Sequence, residues 1–87
     1  MIARKITYRG NFNDQAVGDI FNITRDMEIT GLVKKISPSE VELSLEGDAS
    51  FIKLIQHKIE RKVKGAITEK KVVQIPYQYY VGVTLLA

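Results

Sequence analysis

What most limits the fold of this chain is the order in which its hydrophobic spacing changes along the sequence. Apolar residues alternate with polar ones from Ile2 to Arg9, placing Ile2, Ile6 and Tyr8 on one side and Lys5, Thr7 and Arg9 on the other, as in a half-buried strand. Gly10-Asn11-Phe12-Asn13-Asp14 concentrates turn formers, and Ala16, Val17, Ile20, Phe21 and Thr24 then recur at helical spacing. A helix is predicted over Gln15 to Arg25, with Asp14 placed to cap its first turn. Thr30 to Ser37 and Glu40 to Glu46 read as two strands reversed at Pro38-Ser39. In the second of them Val41, Leu43 and Leu45 face the core, and Glu42, Ser44 and Glu46 face water. After the break at Gly47-Asp48-Ala49-Ser50, Phe51, Ile52, Ile55, Ile59 and Val63 follow a helical period to about Lys64. Asp48 or Ser50 caps this second helix and Gly65 ends it.

The remainder is rich in β-branched and aromatic residues, and Pro76 divides it into two strand candidates, Val72 to Ile75 and Tyr79 to Leu85. The order β-α-β-β-α-β predicts an α+β, ferredoxin-like sandwich: an antiparallel sheet with both helices on one face, so that each crossover buries its apolar stripe. With 87 residues and no linker, repeat or biased segment, positions 1–87 are expected to form one domain.

Several kinds of chemistry are excluded at once. There is no cysteine, so disulfides and thiolate-held zinc or iron–sulfur centres are impossible. His57 is the single histidine and reads as the polar side of a helix, so neither a metal site nor a cofactor is expected. Nowhere do 18 apolar residues run together and no secretory leader pattern opens the chain, which predicts a soluble, cytoplasmic protein without membrane contact. The net charge of +3 is diluted: the densest basic stretch, Lys58 to Lys71, also contains Glu60 and Glu69, so nucleic acid is not the expected partner. The strand Glu40 to Glu46 has no aromatic and carries acids, opposite to what single-stranded RNA requires of a stacking sheet.

Tyr8-Arg9-Gly10-Asn11-Phe12-Asn13 stands between a first strand and a helix. Gly31-Leu32-Val33-Lys34-Lys35 is followed by Val41 and by Glu46-Gly47, then by Phe51-Ile52-Lys53-Leu54-Ile55 and finally by Tyr77-Gln78-Tyr79-Tyr80-Val81-Gly82-Val83. In these ordered spacings the whole chain resembles the acylphosphatases. That resemblance implies a phosphate loop, here Gly10, Asn11, Phe12, Asn13, Asp14 and Gln15, together with an arginine that grips the phosphoryl group and an asparagine that orients the attacking water. The arginine position falls at or beside Gly18 and the asparagine position at Lys35, so both side chains are missing. No lysine or arginine lies between Arg9 and Arg25, and Asp14 and Asp19 add negative charge near the loop. Charged Lys35 donates hydrogen bonds but accepts none, and so cannot hold a water by both its proton and its lone pair.

The expectation is therefore a degenerate, non-catalytic domain that binds a protein partner or associates with itself. The aromatic, nearly uncharged segment Tyr77 to Leu86 could offer a sheet edge, or else Tyr79, Val81, Val83 and Leu85 pack beneath the helices. The alternative is an anion-binding module or rearranged hydrolase of phosphate or acyl phosphate, with Lys34 or Lys35 supplying the missing cation. Gly18 inside a helix asks for a reason, and close packing of helix on sheet would be one.

Overall fold

A computed structural model describes residues 1–86. Strand β1 (Ile2–Gly10) leads into helix α1 (Asp14–Arg25) and the hairpin β2 (Thr30–Ser37) and β3 (Glu40–Gly47). Helix α2 (Ala49–Lys62), a 3₁₀ turn (Lys64–Ala66), β4 (Ile67–Gln74) and β5 (Val83–Leu86) follow. The five strands lie in the order β4-β1-β3-β2-β5. The core lies between sheet and helices. Ile6 and Tyr8 of β1, Val33 of β2 and Val41, Leu43 and Leu45 of β3 are fully buried, together with Ile20 of α1 and Ile52, Ile55 and Ile59 of α2. Each such side chain contributes about 1.5–3 kcal/mol by leaving water, which is what the alternating and helical spacings specify. No helix among the described residues is long and apolar enough to cross a membrane.

The predicted α+β arrangement is present, but the sheet is mixed rather than antiparallel: β5 runs parallel to β2, with Gly31 opposite Val83 and Lys34 opposite Leu86. The cause is the route of the chain. Gln74 leaves the sheet at the end where β2 begins, and Ile75 to Gly82 crosses that same end to the far edge, so β5 must start beside the start of β2. The C-terminal strands shift accordingly. β4 begins at Ile67 rather than Val72, and Tyr79 lies outside β5, its backbone in the left-handed region at φ 59°. Tyr79 and Val81 are 80% and 94% exposed, so neither packs beneath the helices, whereas Val83 does pack against the core.

Smaller corrections follow from hydrogen bonding. Asn13, not Asp14, caps α1, its Oδ1 accepting the Ala16 N–H at 2.8 Å. Asp48 caps α2 through Ser50 N–H at 2.8 Å. The Ser50 hydroxyl and N–H bonds hold the Asp48 carboxyl below the usual range. Gly65 lies within the 3₁₀ turn, and α2 gives way to it at Val63. Glu46, expected in water, is buried.

Candidate functional site

The loop between β1 and α1 is held by main-chain bonds to its neighbours. Gly10 N–H donates to Ser39 O at 2.9 Å, Asn11 N–H to Ala66 O at 2.9 Å, and Phe12 N–H to Pro38 O at 2.8 Å. The Phe12 ring is buried in the core, which fixes the loop from below. Ala66 crosses so close that a Cβ at Gly10 would lie 1.7 Å from its carbonyl oxygen, so position 10 admits glycine alone. Of the six residues of the candidate anion loop, three therefore have their amides engaged by carbonyls. The N–H groups of Asn13, Asp14 and Gln15, in the first turn of α1, find no protein acceptor among the described residues. The Gln15 amide reaches sideways to Asp19 at 3.1 Å.

The two candidate cations separate. Lys34 is opposite Glu42 on the face of the sheet away from the helices, while Lys35 is opposite Val41 on the helix side. A bulge at Ile36 follows, where the pairing skips from Lys35 to Ser37. Lys35 Nζ reaches Asp14 Oδ1 at 3.2 Å, so this lysine stands at the start of α1, bound to a carboxylate that is itself fully exposed. Such an exposed pair contributes only about 0–1 kcal/mol. Arg9 turns the other way, to Glu40 at 3.2 Å and Glu69 at 4.0 Å. Arg25 lies at the far end of α1, its guanidinium 5.5 Å from the Phe21 ring centre. A Cβ at Gly18 would meet nothing within 4 Å, so close packing does not explain that glycine.

Two polar clusters elsewhere escaped the sequence reading. The buried Glu46 carboxylate accepts three main-chain N–H bonds from the crossing segment: Oε2 from Gln78 and from Tyr79 at 3.1 Å, and Oε1 from Tyr80 at 2.8 Å. No periodicity could have shown this, because Glu46 occupies a position where alternation assigns solvent. In the second cluster the buried Tyr8 hydroxyl donates to Glu60 Oε2 at 2.9 Å, and Lys70 Nζ donates to Oε1 at 2.9 Å. Burial, then the Glu60 bond and charge, push the Tyr8 phenol far above its ordinary range. Burial alone would raise Glu60, but the bonds from Lys70 and Tyr8 and the Lys70 charge outweigh it and hold the carboxyl below its usual value.

With that geometry in view, solved structures with the same arrangement can be compared. An acylphosphatase from Bacillus subtilis superposes with a TM-score of 0.87 at 13% identity over the whole of both chains. The chain has the acylphosphatase fold. An acylphosphatase from Coxiella burnetii gives 0.83 at 17% identity, covering 97% of this chain and 90% of that one. HypF of T. kodakarensis gives 0.80 at 24% identity, with this chain matching 12% of HypF. No protein-family model and no curated protein sequence matches the chain. At these identities the fold is what is shared, and the chemistry rests on the side chains just described.

Proposed function

We propose that this chain is a non-catalytic domain of acylphosphatase fold that works by binding a protein partner. The observation that carries this reading is the state of the β1–α1 loop: Gly10, Asn11 and Phe12 donate to carbonyls, and the one lysine beside the loop is paired with Asp14. A phosphoryl group would need those donors and that cation unengaged, and without them it would meet an exposed carboxylate. Gly18 and Lys35, at the positions where the resemblance puts the gripping arginine and the water-orienting asparagine, offer neither function.

A second reading, an anion-binding module, draws support from the three acceptor-free amides at the start of α1 and from Lys35 near them. One experiment separates the two. Inorganic phosphate and acetyl phosphate are titrated while the amides of Gly10 to Asp19 and of Lys34 and Lys35 are followed by NMR. Acetyl phosphate hydrolysis is assayed in parallel. The expected result is no saturable shift at millimolar ligand and no turnover. Saturable shifts confined to Asn13, Asp14, Gln15 and Lys35 would favour the anion module, and turnover abolished by Lys35→Ala would restore an enzyme.

A further inference from the structure

The outer edge of β4 carries two independent features that together specify a kind of partner. The first is a backbone row that no strand among the described residues pairs. Gly10 N–H bonds to Ser39 O, which turns the main-chain groups of the even-numbered residues of β1 toward β3. The odd-numbered residues are left for β4, in agreement with the bond from Ile75 N–H to Ala3 O at 3.1 Å. With Lys5 opposite Val73, Thr7 opposite Lys71 and Arg9 opposite Glu69, it is Lys70, Val72 and Gln74 that point their N–H and C=O groups away from the sheet. β4 spans eight residues, whereas β5 at the opposite edge spans four.

The second feature is charge, and the sequence concealed it. Glu60 and Glu69 dilute the basic stretch along the chain, yet in space only Glu60 stands on the helix-side flank of this edge, and its charge is matched there by Lys70. Glu60 has one oxygen on Tyr8 and the other on Lys70, and Glu69 lies with Arg9 on the opposite face of the sheet. What remains beside β4 on the helix side is an excess of cations, since Arg4, Lys53, Arg61 and Lys64 form no ion pair among the described residues. One depression there is bordered by Arg61 and Lys64, and a second by Arg4 and Lys53, with His57 and the Lys70–Glu60 pair common to both. Val72, 39% exposed, gives the second depression an apolar floor.

We propose that β4 is a docking edge for an extended, acid-rich segment of a partner protein, which joins the sheet as an added strand and directs alternate carboxylates at the α2 cations. This rests on the protein-binding reading above. Residues two apart on an added strand sit about 6.6–6.8 Å apart on one face, which suits two neighbouring depressions along the edge. The unpaired main-chain row favours a polypeptide over a nucleic acid, because a sugar–phosphate backbone cannot complete a β ladder. A second copy of this chain is disfavoured by charge: β4 against β4 would bring Lys70, Arg61 and Lys64 toward their own duplicates.

The test uses a fluorescein-labelled nonapeptide of alternating glutamate and valine, followed by anisotropy and by amide NMR of the full chain. Saturable binding is expected, with the largest shifts at Lys70, Val72 and Gln74. Val72→Pro removes an outward N–H at an edge position that tolerates proline, and is expected to weaken binding about tenfold or more. Arg61→Gln should weaken it about fivefold, while Arg25→Gln, which removes the same charge from the last turn of α1, should change it less than about twofold. If Val72→Pro does not fold, the two arginine variants decide. Equal binding of the peptide N-methylated at alternate residues, equal binding of a nine-nucleotide oligouridylate, or no shifts along β4 would overturn the proposal. Acetyl phosphate hydrolysis measured on the same samples keeps the two readings apart. Turnover would reject the non-catalytic reading whatever the peptide does, and peptide failure without turnover would reject the edge alone.

Discussion

Two irregular stretches of this chain do similar jobs by different means. The loop from Gly10 to Asn13 joins β1 to α1, and the crossing from Ile75 to Gly82 carries the chain from one sheet edge to the other. The loop is held by main-chain bonds to the carbonyls of Ser39, Ala66 and Pro38, groups that every side-chain substitution leaves in place. Between its ends, which main-chain bonds tie to Ala3 and Gly31, the crossing is held by one side chain, the Glu46 carboxylate, which gathers the N–H groups of Gln78, Tyr79 and Tyr80. The loop is therefore vulnerable where backbone approaches backbone and at the buried Phe12 ring, and the middle of the crossing is vulnerable at one residue of another strand. The contrast also bears on anions: the stretch whose amides surround a carboxylate is the crossing, and the carboxylate is the protein's own.

The largest expected effect breaks the crossing. Glu46→Gln replaces an acceptor of three bonds with a carboxamide whose NH₂ must face an N–H, and should cost about 3 kcal/mol in denaturant unfolding. Hydrogen exchange should quicken from Gln78 through Leu86 while β1 and β3 stay protected. If instead the whole sheet exchanges together, the crossing is not a separately held unit.

Next in size is the corresponding break in the loop. Gly10→Ala puts a methyl 1.7 Å from Ala66 O, and the required backbone shift should destabilise by about 2 kcal/mol. An unchanged midpoint would mean that the contact with the 3₁₀ turn relaxes freely.

A third anchor, side chain to side chain, sharpens the comparison. Tyr8→Phe removes one bond to Glu60, which keeps Lys70, and should cost about 1 kcal/mol at neutral pH. The pH dependence has a defined sign. The folded phenol titrates well above its unfolded value, so its contribution is complete below about pH 10 and is lost as pH rises beyond that. The gap between wild type and Tyr8→Phe should therefore narrow in alkali. At the acid end Glu60 is depressed in the fold, so its contribution is present above its unfolded pKa and fades as pH falls below it.

The smallest effect runs the other way. Gly18→Ala adds a Cβ into open space within α1 and should stabilise by about 0.5–1 kcal/mol, read from the thermal midpoint. Destabilisation would show that the glycine has a backbone role which its surroundings do not reveal.

The sequence by itself determined the order of elements up to the second helix, the hairpin at Pro38-Ser39 and the core face of β3, because local periodicity records which side of each element is buried. It also determined the absence of an arginine or lysine within the loop and along α1 before Arg25, since that is a matter of composition between Arg9 and Arg25. Only the tertiary structure decided the direction of β5, the burial of Glu46, the pairing of Lys35 with Asp14 and the bonding of Glu60 to Tyr8 and Lys70. Each of these depends on a contact between residues far apart in the chain, and a long-range hydrogen bond leaves no mark on local spacing. Glu46 shows the reason most directly: alternation assigns it to solvent, and a segment more than thirty positions later folds over it and supplies the N–H groups that make its burial tolerable.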